Sequence, residues 1–225
     1  MPSGTDDTPD EDDFASDAAS PQAQAAYRAR FSEDDVPGWD AITAAAERLY
    51  GPDAERHYGP LCGLHFAAGG SDPIDGASVS DAPGPPAHRH LISYGLSELY
   101  FAPESAEREE SGWGYEFTMR VAPFAGDEGR DPLWAMQIFN NLARYMNASG
   151  RWFEPYHWLP AKGPIRLNTD TQLTGLALAP DPELGTIDTP HGTLQFLQLV
   201  GLTQAEVDRL MTDPTTEHVT DLTRT

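Results

Sequence analysis

At 225 residues, with 39% hydrophobic and 10% aromatic side chains, the chain can bury one core of ordinary domain size, which excludes a wholly disordered polypeptide. Its 36 acidic residues outnumber 14 basic ones for a net charge of -22, and no basic stripe interrupts them, so direct binding to a nucleic-acid backbone is excluded. Cys62 is the single cysteine, which excludes a disulfide framework and a thiol-held zinc, while Met1 to Asp7 lacks a leader pattern and no stretch nears the roughly 18 apolar residues of a membrane span. The expectation is a cytoplasmic protein without a cofactor.

Residues 1–38 are rich in Asp, Glu, Ser, Pro and Ala around Asp10-Glu11-Asp12-Asp13, a composition that predicts a disordered acidic tail with a short helical pattern near Gln22 to Phe31. Val36-Pro37-Gly38 punctuates the chain, and a folded domain over residues 39–212 is expected to follow. Asp40 can cap a helix through Ile42, Ala45, Ala46, Leu49 and Tyr50 that stops at Gly51-Pro52. Leu61 to Ala68, then a turn at Gly69-Gly70-Ser71-Asp72-Pro73, then Ile74 to Ser80 reads as strand, turn, strand. His90 to Tyr100 and Trp113 to Val121 alternate as strands, and between them Phe101 to Gly112 reads as a polar loop bearing Glu104, Glu107, Glu109 and Glu110.

Asp131-Pro132 has the form of an N-cap and a first helical position, and Trp134, Ile138, Leu142 and Tyr145 then recur at helical spacing up to Gly150 as the expected buried face. Short extended pieces follow at Thr174 to Ala179 and Gly192 to Val200. Thr203-Gln204-Ala205-Glu206 is a capping box that opens a helix to Met211, and residues 213–225 read as a frayed tail. Strands and helices interleave irregularly, with neighbouring strands close enough to pair antiparallel. The expected fold is α+β (mixed α/β), a central mixed β-sheet flanked by α-helices.

Candidate chemistry is sparse. His88 and His90 would share one face of a strand at a spacing that can begin a metal site, but no carboxylate or thiol accompanies them. An apolar strand would turn Cys62 and His65 to opposite faces. Asp188-Thr189-Pro190-His191-Gly192 offers an acid and a base within turn residues, and Gly112-Trp113-Gly114 lacks the further glycine of a phosphate loop. No catalytic or metal-ligating set is assigned. The competing class is a histidine-dependent, metal-assisted enzyme using His88, His90, His157 or His191. Trp134, Tyr145, Trp152, Phe153 and Tyr156 are read as core aromatics.

Three segments taken together, Gly69-Gly70-Ser71-Asp72-Pro73-Ile74-Asp75, His90-Leu91-Ile92-Ser93-Tyr94-Gly95-Leu96-Ser97-Glu98-Leu99-Tyr100 and Ser111-Gly112-Trp113-Gly114-Tyr115-Glu116-Phe117-Thr118-Met119-Arg120, resemble the suppressor-of-fused domain. The resemblance continues through Leu142-Ala143-Arg144-Tyr145, Asp188-Thr189-Pro190-His191-Gly192 and Phe196 to Thr203, spanning roughly residues 45 to 212. It implies a mixed sheet flanked by helices and a protein-binding role without catalysis. Animal members hold zinc-finger transcription factors and carry a second, C-terminal domain, which this chain ends short of. Bacterial members resemble immunity proteins that bind and block a toxin domain, so a basic toxin domain or peptide becomes the expected partner. Within the region that the family uses for partner contact, Tyr100 and Trp113 flank the loop of Glu104, Glu107, Glu109 and Glu110, and these six are the candidate partner-binding residues. An aromatic beside carboxylates can anchor a basic peptide.

Overall fold

Alternation at a period of two sends successive strand side chains to opposite faces, and in this protein both faces of one sheet are covered. A computed structural model describes residues 18–59, 73–124, 126 and 129–224. The strand expected over Leu61 to Ala68, the turn from Gly69 to Asp72 and the Cys62/His65 pair lie outside these residues.

Strands β1 (Arg56–Tyr58), β2 (Gly76–Ala82), β3 (His88–Tyr94), β4 (Glu110–Val121), β5 (Trp158–Pro160), β6 (Leu173–Pro180), β7 (Thr186–Thr189) and β8 (Gly192–Thr203) form one sheet. Its order is β1-β2-β3-β4-β8-β6-β5, with β7 hairpinned onto β8. β4 and β8 run parallel in the centre and the other pairs are antiparallel, so the sheet is mixed and the α+β expectation holds. Helices α1 (Pro21–Arg30), α2 (Pro37–Tyr50), α3 (Trp134–Ser149), α4 (Gln204–Thr212) and α5 (Thr216–Thr223) surround it. No helix among the described residues is long and apolar enough to cross a membrane.

One face packs beneath α3, where Val79, Leu91, Phe117, Met119, Leu178, Leu197 and Leu199 meet Ala135, Met136, Phe139, Ala143 and Met146. The expected face of this helix was one stripe away. Trp134 and Ile138 are only half-buried and Tyr145 is exposed, because the stripe containing Ala135 and Ala143 lets the helix approach the sheet closely. Tyr145 instead lies at the margin with its ring exposed, which suits a side chain with one polar end, while Trp134 is half-buried beneath the Arg166 guanidinium. Asp131 does not cap the helix either. It accepts hydrogen bonds from Arg56 Nε (2.7 Å), Arg56 Nη2 (2.8 Å) and the Tyr58 hydroxyl (2.6 Å), and α3 begins three residues later with Leu133 as its N-cap. The Arg56 guanidinium holds the Asp131 carboxyl down at about 2.

The opposite face takes α2 through Ile42, Ala45 and Ala46, which pack on Ile92, Tyr94, Leu194 and Phe196. Val36 caps α2, so Asp40 lies inside its first turn rather than before it. Further along the sheet α4 and α5 cover Ala177 and Leu202 through Val207, Leu210 and Val219. The capping box at the start of α4 forms in both directions between Thr203 and Glu206. Residues 213–225 were expected to fray, yet Thr215 caps α5 and Val219 is 1% exposed, because its apolar face completes this small core.

The expected acidic tail also needs correction within residues 18–38. Ser20 accepts a hydrogen bond from the Ala23 N–H and caps α1, and Tyr27 is buried against Phe31, Phe101 and Ala106. Its hydroxyl reaches His191 Nε2 at 2.6 Å. The loop beyond β3, read as polar, turns Ala102, Pro103, Ser105 and Ala106 inward beside this aromatic cluster.

Candidate functional site

Strand β3 ends at Tyr94 rather than running on to Tyr100, and the chain turns sharply through Gly95, Leu96 and Ser97. Gly95 has φ 128°, and a Cβ there would stand 2.7 Å from the Asp75 nitrogen, so only glycine fits. The three consecutive N–H groups of Gly95, Leu96 and Ser97 all donate to one oxygen, Oε1 of Glu116 on β4, at 2.9, 3.0 and 2.9 Å. The Ser97 hydroxyl donates to the same atom at 2.8 Å and the Ser93 hydroxyl to Oε2 at 2.5 Å. Glu116 is completely buried. Burial pushes its carboxyl up to about 7, against the pull of these donors toward the ionised form. The result is a turn whose backbone is fastened from beneath.

Above this turn lies an open depression of about 490 Å3, lined by Asp75, Leu96, Ser97, Glu98, Tyr100 and Trp113 among others. The Trp113 N–H donates to the Leu96 carbonyl (2.8 Å) and the Glu98 N–H to the Ser111 hydroxyl (3.1 Å), so both walls are tied to one another. Gly112, at φ 58°, leaves room for that crossing, since a Cβ would meet the Leu96 oxygen at 2.5 Å. Tyr100 is 47% exposed, with its hydroxyl set against the Asp75 carboxylate, and Trp113 is half-buried. Burial pushes the Glu98 carboxyl up.

The structure therefore brings Tyr100 and Trp113 to one depression but leaves the loop carboxylates outside its lining. Glu104 is exposed on a 3-10 turn (Pro103–Ser105), and its carbonyl accepts the Ala19 N–H at 2.9 Å, next to α1. Glu107 is exposed with φ 61°. The Glu109 carbonyl accepts from the N–H (3.0 Å) and hydroxyl (2.8 Å) of Thr193, and Glu110 opens β4 opposite Thr193. All four side chains face solvent. Asp75 and Glu98, which the sequence reading passed over as site residues, are the carboxylates that line the depression. Both sit inside the segments that resemble the family, but nothing in their spacing separates them from the loop carboxylates.

The four histidines of the competing enzyme reading are engaged separately. His88 faces the Pro86 carbonyl (2.9 Å), and His157 is exposed beside Glu154. His191 is fully buried, with Nδ1–H donating to the Glu98 carbonyl (3.0 Å) and Nε2 accepting from Tyr27. His90, 1% exposed, bridges the Tyr50 hydroxyl (2.6 Å at Nδ1) and Asp181 (3.1 Å at Nε2). An ionised Asp181 can only accept, so the proton sits on Nε2 and Tyr50 donates to Nδ1. Although burial opposes it, the bonds from His90 and Arg120 hold Asp181 well below the usual carboxylate range, and burial pushes the imidazole down to its neutral form. This Tyr-His-Asp chain resembles a relay in its parts, but an enclosed imidazole offers no surface to a substrate. Among the described residues no group of three or more His, Cys, Asp or Glu could hold a metal ion.

Comparison with known proteins agrees with this architecture. The model of the family described as Suppressor of fused protein matches residues 70–224. The human Suppressor of fused homolog is 31% identical over 179 residues, covering 76% of this chain and 36% of the human protein, and the mouse homolog gives the same figures. The chain thus spans about a third of the length of these relatives. Among solved structures, the Sufu-Fu complex superposes with a TM-score of 0.70 at 28% identity, covering 83% of this chain and 84% of the other. Drosophila Suppressor of Fused gives 0.67 at 29% identity, covering 80% and 45%. A homolog from Neisseria gonorrhoeae, 13% identical with a TM-score of 0.54 over 78% of this chain and 82% of that one, shares the fold. A family model that matches residues 70–224, more than half of the chain, places this protein in the suppressor-of-fused family.

Proposed function

We propose that this chain is a non-enzymatic protein-binding module whose partner docks over the depression between Tyr100 and Trp113. The observation that carries this reading is the pair of accessible aromatics beside Asp75 and Glu98 on a turn that Glu116 fastens from below. An aromatic anchor held rigidly loses little entropy on binding, which is how a small patch can carry most of an interface's energy. Glu104, Glu107, Glu109 and Glu110 form the rim, where charges act on encounter more than on residence time. The Sufu-Fu complex, a relative caught with another protein, supports a protein partner. The net charge of -22 favours a basic one, and the finer reading is an immunity protein of the bacterial cytoplasm that neutralises a basic toxin domain.

The test begins with identification of the partner by capture from native lysate and continues with binding kinetics at two salt concentrations. Tyr100→Ala is expected to speed dissociation at a cost of about 2 kcal/mol, as for a central anchor. Glu107→Lys, Glu109→Lys and Glu110→Lys together are expected to slow association and reduce its salt sensitivity with little change in dissociation. Unchanged kinetics in both variants would move the interface away from this end of the sheet. Failure of the chain to protect cells from a co-expressed toxin partner would reject immunity while leaving the binding role intact.

A further inference from the structure

A second, smaller cavity of about 220 Å3 opens between α2, the segment just before β1 and the end of β3. Its walls are three rings packed on one another: Trp39 to His57 and Trp39 to Tyr94 both at 4.5 Å between centroids, His57 to Tyr94 at 5.1 Å. Glu47, Asp53 and Glu55 supply the carboxylates around it. Three acids about one cavity would ordinarily recruit a cation from the same chain. None does so among the described residues, and Arg56, the nearest in sequence, turns away to Asp81 and Asp131 at 2.8 and 2.7 Å. Glu55 is held by neutral donors instead, the Ser78 hydroxyl at 2.5 Å and the Tyr94 hydroxyl at 3.4 Å. Burial, with Glu47 adding to it, pushes its carboxyl up, and burial keeps His57 toward its neutral form. Tyr94 is 1% exposed and backs the other two rings, so the cavity joins the accessible Trp39 and His57 rings, the indole foremost in attracting a cation through its quadrupole, to carboxylates that lack an internal counter-charge among the described residues.

Size decides what could enter. Pockets for whole small molecules run about 300 to 1,000 Å3, and this one is smaller, suited to the end of one side chain carried by a larger molecule. Location points the same way. The Trp39 N–H donates to the Leu99 carbonyl at 3.2 Å, one residue before Tyr100, and a Cβ on Gly76, next to the depression-lining Asp75, would touch the His57 ring. The cavity is thus a neighbour of the depression between Tyr100 and Trp113. We propose that this aromatic, acidic cavity receives one lysine or arginine side chain of the protein partner, as a specificity pocket beside the docking depression. The source of that side chain rests on the docking reading above. The chemistry of the pocket does not.

The test uses blocked tripeptides, N-acetyl-Gly-Lys-Gly-amide and its arginine and norleucine counterparts, titrated against the full chain while the indole N–H resonance of Trp39 is followed. Trp39→Phe assigns that signal. Saturable shifts are expected with the lysine or arginine peptide, and binding of the uncharged norleucine peptide is expected to be weaker by about 3- to 30-fold, the range that a cation over aromatic rings provides. Glu47→Gln with Asp53→Asn should weaken the charged peptides by a similar factor. These two positions are only half-buried or exposed, so the fold should persist, and Glu55→Gln, which keeps an acceptor for Ser78, is the second check. Tyr100→Ala should leave peptide binding unchanged. Absence of a saturable shift, or equal binding of the norleucine peptide, overturns the proposal. So does a partner whose dissociation responds to Tyr100→Ala but ignores Glu47→Gln with Asp53→Asn, and that result would leave the docking reading standing. Peptide binding together with a partner indifferent to Tyr100 would do the reverse to the docking reading.

Discussion

The two faces of the sheet are covered with similar completeness but built from different chemistry. Beneath α3 the strands present Val79, Leu91, Phe117, Met119, Leu178 and Leu199, an apolar layer whose stabilisation scales with area and has little directionality. On the α2 side the same strands present Ile92, Tyr94, Leu194 and Phe196 directly under the helix, but among them Ser78, Ser80, His90, Glu116, Thr118 and Gln198, all buried, with Arg120 alongside. Asp181 gathers much of this face, accepting from His90, from Thr118 at 2.8 Å, from both Arg120 Nη atoms at 2.9 and 3.0 Å, and from the N–H groups of Glu183 and Leu184. The apolar face makes the domain stable. The polar face decides where the turns and helices bordering the candidate sites are held, because each hydrogen bond there has one satisfactory geometry.

That comparison breaks first at Asp181. Asp181→Ala leaves the Arg120 guanidinium with Glu183 alone and deprives a neutral imidazole and a hydroxyl of their acceptor in a buried place, and a loss of about 3 to 5 kcal/mol is expected in chemical denaturation. A loss below about 1 kcal/mol would mean that water or a neighbouring acceptor replaces it, and the polar face would then be no more specific than the apolar one.

The second test sharpens the apolar side. Phe139→Ala should cost about 3 to 5 kcal/mol, as for a fully buried ring, whereas Trp134→Ala should cost clearly less because that ring is half-buried at the margin under Arg166. Equal losses in the two variants would return α3 to the face expected from its sequence. The smallest effect is expected at the N-terminal helix. Tyr27→Phe retains the ring among Phe31 and Phe101 and removes the hydroxyl's bond to His191 and its long contact from the Ala102 N–H (3.4 Å), for about 1 kcal/mol. Deletion of residues 1–31 should lower the melting temperature by more than this single change does. An unchanged melting temperature would show that α1 docks without stabilising the domain.

Legibility followed the range of the interactions. The capping box at Thr203 to Glu206, the strands ending near Val121 and Ala179, and the stop of α2 at Gly51 depend on neighbours within a few residues, and each was readable along the chain. Tyr100 and Trp113 could be named as a pair from their motifs and do share one depression. The loop carboxylates could not be sorted from Asp75 and Glu98 in the same way, because which acid borders the depression depends on how β2, β3 and β4 stack. Asp131 shows the same limit, since a residue ideally placed to cap a helix is instead claimed by an arginine 75 positions away.

Sequence alone determined the mixed α+β architecture, the order of most elements, the family resemblance and the acidity of the chain, because period, capping, turn residues and net charge are local or additive properties. Tertiary structure alone decided that α1 and α5 belong to the folded unit, which stripe of α3 faces the sheet, that Glu116 fastens the turn after β3, and that three carboxylates and three rings meet at one cavity. Each of these outcomes depends on burial against residues far away in the chain, and burial changes the free energy of a side chain by more than any local preference does.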